Sequence, residues 1–450
     1  MRPLDYMAPE SAWSVCPDAL DHYRAAHLVR RAGFGIDAQS LQDLVGLQPA
    51  EAISRLRGTQ SENSATDRSA DALARATLAT SDASNLSAAW VYRIMRTPDQ
   101  LREKMTLFWH GHFATSAEKV EDAAMMWQQN NLLREHALGN FAELTQLVAK
   151  DPAMLIYLDS ESNRKAHPNE NFARELMELF CLGEGNYSED DVLQLARCFT
   201  GWEVRNRRFR KNRYQHDSGE KAFLGASGRF NGEEAIDIVL RQEATPKFIA
   251  RKLFHFFVCD DQAPSDDLLL PIAETLRAND LHIDAAVRQI LTSNLFHSST
   301  VFAQKIRSPV ELVCGFMRSF EVTTNTQAVA RDLRDVGQGL YYPPNVKGWD
   351  GGRAWINSST LLGRSNMLHR ILQEENTKFA GGTLSDYLQK QQITSLPAAI
   401  AFFCQQLLAL PIPLARQEQI ANSADAEQFN ERSLRRSLHS VLALPECQLA

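Results

Sequence analysis

Glu170, Arg174 and Glu178 recur every fourth residue in the stretch NENFARELMEL, and Asn171 and Glu175 stand beside them. On a helix turning about 100° per residue these five side chains share one face, while Phe172, Leu176, Leu179 and Phe180 fall on the opposite arc. Glu175 and Glu178, three residues apart, can share a divalent metal ion or divide acid and base roles between them. Arg174 can orient a carboxylate or another anionic substrate. The same spacing also makes a solvated face, on which Glu170–Arg174 and Arg174–Glu178 are i, i+4 pairs worth a few tenths of a kcal/mol each.

Two further groupings add imidazoles. In FWHGHF, His110 and His112 are two residues apart where Gly111 is expected to end a long helix. His110 then suits the negative end of the helix dipole, and the pair can also chelate one ion if other ligands join it. In YQHDSGEK, His216 and Asp217 are adjacent and suited to proton transfer. If the segment 203–231 folds over the polar helix, then His110, His112, Glu175 and Glu178 become metal ligands beside His216 and Asp217. That set suits metal-assisted hydrolysis, and it equally suits a structural hydrogen-bond network. No Walker A loop, GxGxxG, GxSxG or HExxH occurs, and the GFG at Gly33–Gly35 reads as a helix C-cap.

The elements that must position these groups are helical. Helical periodicity dominates, punctuated by Pro and Gly, and no alternating run of convincing strand length appears, so the expected class is mainly α with little or no sheet. Long helices are expected over Leu41 to Arg57, Leu86 to His110 and Asn169 to Leu182. Residues 58–85 are Ser-, Thr-, Ala- and Asp-rich and read as an exposed connector, while 203–231 and 336–359 read as irregular loops. In the last of these, Tyr341, Tyr342, Trp349 and Trp355 accompany a double proline; the tryptophans suit either core burial or a partner-binding anchor. The 450 residues are expected to divide into an N-terminal extension at 1–21, a main helical domain at 22–380 and a C-terminal helical subdomain at 381–450.

Composition narrows the partners. A net charge of −7 with interspersed signs argues against a general nucleic-acid binder, although RNRRFRKNR at Arg205 to Arg213 is locally basic. Seven scattered cysteines without a CxxC pair fit buried reduced thiols. No run reaches the ~18 apolar residues of a membrane helix, and the first residues lack a secretory pattern, which by itself places the protein in the cytoplasm.

AAHLVRRAGFG, LREKMTLFWHGHFATS, NNLLREHALGNF, KDPAMLIYLDSESN, NENFARELMELFCLGEGNYSEDDV, ARCFTGW and FIARKLFHFFV follow one another along the chain. So do GQGLYYPPNVKGWDGGRAWINSSTLLGRSNM and a closing LALPECQLA. In this order they resemble the bacterial "domain of unknown function 1800" proteins from about residue 22 to the C-terminus. The resemblance implies a mainly helical bacterial protein. Such proteins are often encoded beside a "domain of unknown function 1501" partner that is similar to sulfatases, and many are exported. It also implies that the HxHF, NENxARE and GW elements belong together, which favours a shared pocket over a solvated face. Two expectations result: a metal-assisted hydrolase acting on an envelope or extracellular polymer, or a non-catalytic scaffold for the sulfatase-like partner.

Overall fold

In the computed structural model, residues 7–78, 84–423 and 429–450 are described, and among them 24 helices stand beside three two-stranded sheets, a mainly helical protein. The first six residues of the expected N-terminal extension and residues 79–83 of the expected connector lie outside the described residues. Among those that are described, no helix is long and apolar enough to cross a membrane. All seven cysteines are free and buried.

Proline and glycine cut two of the expected long helices. The stretch 86–110 is two helices, Ser84–Arg96 and Gln100–His112, broken at Pro98 and restarted by Asp99, whose side chain accepts the Arg102 N–H. Likewise 41–57 becomes Ala38–Gln42 and Pro49–Arg55, with Gly46 at φ 87° between them and Pro49 opening the second. The polar stretch starts as the α-helix Asn171–Glu175 and continues as a π-helix over Leu176–Cys181, a widened turn that periodicity at 3.6 does not anticipate.

Two segments expected to be irregular are ordered. Residues Gln60–Leu78 form a 19-residue helix. Its buried face is small, with Ala70 and Ala74 fully covered, and Asp67 and Asp71 pair with Arg93 of the neighbouring helix. A face built from alanine and ion pairs lacks the large apolar residues that mark a helix in sequence. Within 203–231 two hairpins form: Trp202–Arg205 against Arg208–Lys211, and Lys221–Phe223 against Ala226–Gly228. Each turns through two residues of positive φ, Asn206–Arg207 and Leu224–Gly225. Strands of three or four residues are too short for alternation to reveal them.

The apolar residues gather in two cores. One joins the N-terminal helices, from Ala12 and Trp13 onward, to helices between Leu133 and Val301. The other joins 310–447 to Trp90, Val91 and Ile94 and to Ala117–Trp127. Between helices Ser84–Arg96, Gln100–His112 and Ala123–Glu135 sits a buried polar knot. Glu103 receives two 2.8 Å bonds from Arg134 and one from the Trp90 indole, while Arg134 also donates to Asn130 and Asn131. Removing one partner of such a pair leaves the other as an uncompensated buried charge. Glu103→Gln is therefore expected to cost roughly 3 kcal/mol in chemical denaturation; a loss under a few tenths would show that the knot is not buried as described.

Asp151 caps the helix Pro152–Tyr157, accepting the Met154 N–H at 3.1 Å and the Gln129 amide at 2.8 Å. Burial pushes its carboxyl up to about 7. Because the folded state holds this proton more tightly than the unfolded chain, the group favours folding below the ordinary carboxylate range and loses that contribution as pH rises toward 7. Asp151→Asn keeps a capping oxygen and cannot ionise. The stability of the variant relative to the parent should rise between pH 4 and pH 8 in urea titrations, and a difference independent of pH would contradict this.

A candidate ligand cleft at the end of the FWHGH helix

The C-terminal end of Gln100–His112 meets a loop of the chain more than 200 residues away. Gly348, at φ 79°, lies so close that a Cβ there would stand 2.1 Å from the Gly111 carbonyl oxygen. Only glycine permits that approach and that φ. One residue before Gly111, His110 is buried among Trp90, Tyr341 and Trp349, and its Nε2 accepts the Tyr341 N–H at 3.2 Å. Burial pushes this imidazole down to about 3, so it is neutral. Tyr341 has φ 69°, a strained value for a bulky residue, and its carbonyl in turn accepts the Ala117 N–H. His110 thus holds a strained turn in place.

His112 faces a different environment. Its ring stands among Phe108, Trp109, Phe113, Phe141, Phe180 and Phe248. Nε2 lies 3.0 Å from the Phe180 carbonyl oxygen and therefore carries the hydrogen. Nδ1 is left as an acceptor, buried and without a protein partner. Burial, assisted by Lys252, holds the ring well below its usual value and so neutral.

His112 lines a cleft of ≈ 350 Å³ between this helix end, the helix Ala244–Phe257 and the segment around Trp349. Phe108, Phe256, Trp349 and Trp355 supply its aromatic walls. The indole Nε1 of Trp349 is buried and has no partner. Three lysines reach the cleft, and only one is paired. Lys305 is bound to Asp260 and to the His255 carbonyl oxygen. Lys252 and Lys347 make no ion pair among the described residues, and Lys252 sits 5.2 Å from the Phe248 ring. Burial and the neighbouring Lys347 charge lower the Lys252 ammonium from its ordinary value. Of the acids, Glu311 is tied to Lys104 and to the Ser308 N–H, whereas Asp350 is exposed at the rim.

The other expected site residues are placed elsewhere. Glu175 is half-buried; burial and then Glu178 raise its carboxyl, while Lys347 and Arg174 act in the opposite sense. Glu178 accepts the Tyr187 hydroxyl at 3.0 Å. Arg174 reaches Glu170 and Glu189, so the expected Glu170–Arg174 pair is formed on an open surface. His216 donates from Nδ1 to the Thr200 carbonyl oxygen. Asp217 is held low first by Arg197, from which it accepts a 2.7 Å bond, and it also accepts the Gly219 N–H. Of these seven residues only His112 lines the cleft. Among the described residues no three His, Cys, Asp or Glu side chains gather where a metal ion could be held.

Sequence reasoning found His112 and the tryptophan segment but missed Lys252, His255 and Lys347. Lys252 and His255 do stand three apart in FIARKLFHFF, and so share one helix face. Nothing in the spacing ties that face to Gly348 or His112. No curated protein and no solved structure matches the chain. A family model described as "Protein of unknown function (DUF1800)" matches residues 27–449, and the chain belongs to that family.

Proposed function

We propose that the protein takes up an acidic saccharide unit of an envelope or extracellular polymer in this cleft. One observation carries the reading: among the described residues His112 Nδ1 and Trp349 Nε1, an acceptor and a donor, are both buried without a hydrogen-bond partner in a cleft whose Lys252 and Lys347 make no ion pair. Buried polar atoms are costly to leave unpaired, so a ligand that satisfies both gains affinity. A sugar hydroxyl offers a hydrogen to Nδ1 and a lone pair to the indole. A carboxylate or sulfate on the same unit answers the two ammonium groups, and the aromatic walls suit a ring face. The volume of ≈ 350 Å³ fits one or two such rings.

The reaction that suits this arrangement is hydrolysis of a bond in the bound unit. Lys252 and Lys347 would stabilise developing negative charge, the electrostatic task otherwise given to a divalent metal, and Asp350 is a carboxylate open to water. A sulfatase-like partner of the "domain of unknown function 1501" type would then act on the acid groups of the same polymer. Export, which that substrate requires, belongs to this reading. The scaffold alternative uses Trp349 and Trp355 as a protein anchor, but both line the cleft and are partly buried.

Oligosaccharides of glucuronate, measured by calorimetry or by tryptophan fluorescence, should bind better than neutral oligosaccharides of the same length. Lys252→Met and Lys347→Met should each weaken binding by about 10-fold or more, or ~1.4 kcal/mol, with unchanged folding. Equal affinity for neutral and acidic sugars would refute the proposal. Because the ammonium form of Lys252 is the one that binds, affinity should fall as pH rises through the lowered Lys252 titration. Lys252→Met should lose that fall; the same fall at the same pH in both proteins would remove Lys252 from the site.

A further inference from the structure

Among the described residues, buried cationic side chains outnumber buried anionic ones. Arg30 and Arg307, 9% and 4% exposed, both line a small cavity of ≈ 20 Å³ with Gln406, Phe34 and Gly35. That volume holds one water-sized occupant. Among the described residues no carboxylate is bonded to either guanidinium. Arg30 donates to the Leu408 carbonyl oxygen at 2.7 Å and, more weakly, to that of Gln406; Arg307 donates to that of Leu407 at 2.8 Å. Arg307 Nε and the Gln406 amide oxygen are buried with no partner.

The neighbouring groups do not bond to either guanidinium. The Glu311 charge acts on Arg307 from a distance, but its oxygens are committed to Lys104 and to the Ser308 N–H. Cys447 lies within electrostatic reach of both arginines, yet burial pushes its thiol up in spite of them, so it remains uncharged. Arg364 adds a further buried cation that donates to the Arg307 carbonyl oxygen.

We infer that this cavity is a binding site for a single monatomic anion, chloride in a cell, held between Arg30 and Arg307. A halide accepts the free Arg307 N–H and compensates two positive charges that carbonyl dipoles alone leave in low dielectric. The Gln406 amide, turned end for end, offers its NH₂ group to the same ion, a change of orientation that its shape permits. A volume of ≈ 20 Å³ suits an ion near the size of a water better than sulfate or phosphate. By joining the helix His22–Ala32 to Arg307 and to the end of the helix Leu396–Leu407, the ion would tie together segments from both ends of the chain.

Thermal unfolding of the full chain at constant ionic strength, with gluconate replaced stepwise by chloride or bromide, tests this. A saturable rise in Tm of about 2–4 °C is expected with either halide. Arg307→Met, checked for folding by circular dichroism, should lose the halide dependence. Crystals grown in bromide should carry an anomalous peak between Arg30 and Arg307, a measurement that stands even if the variant does not fold. An empty anomalous map at that position overturns the proposal in favour of a water. So does a rise in Tm that never saturates and persists in Arg307→Met.

Discussion

The cleft exists because two backbones touch. Gly111 at the end of one helix and Gly348 in a distant loop meet with no room for a Cβ on Gly348, and that contact sets the height of the loop above the helix. Everything that lines the cleft is arranged around it: Trp349 follows Gly348, His112 follows Gly111, and Lys347 precedes the contact. His110 secures the arrangement by accepting the N–H of a residue in an unfavourable conformation. A charged imidazole would donate from both nitrogens and could not do so, so deep burial, which keeps the ring neutral, is part of the joint.

This joint explains why two histidines in an HxH pattern behave so differently. Two residues apart on a helix, their side chains diverge by about 200°. One looks toward the loop and the second core; the other looks into a cage of phenylalanines from the first core. A shared metal requires an extended turn at Gly111, as the sequence suggested. The helix instead continues to His112, with the loop laid upon Gly111.

Much of the fold was legible in the residues. The mainly helical class and the buried free cysteines follow from local patterns of apolar spacing, proline, glycine and cysteine. What was not legible has physical causes. Gln60–Leu78 hides because alanine is a weak hydrophobic marker, and the hairpins at 202–228 hide because they are short. The polar face of NENFARELMEL was read correctly in part: Arg174 does pair with Glu170 in the open, as a solvated face requires. The π-turn then alters the angular positions that follow it, so Glu178 joins Tyr187. The cleft itself was only half visible. Its histidine and tryptophans announce themselves in sequence, but its lysines become meaningful only once segments near 112, 252 and 348 come together.

The separation of those segments also governs when the cleft appears. The hydrogen bond between His110 and Tyr341 closes a loop of 231 residues, and the Trp90–Tyr341 packing closes one slightly longer. Contacts of such range form only after local helices have docked, so the cleft is assembled late and no fragment of the chain can carry it. Ligand binding then reports on the completed fold alone. A tight ligand held there would draw the folding equilibrium of the whole molecule with it.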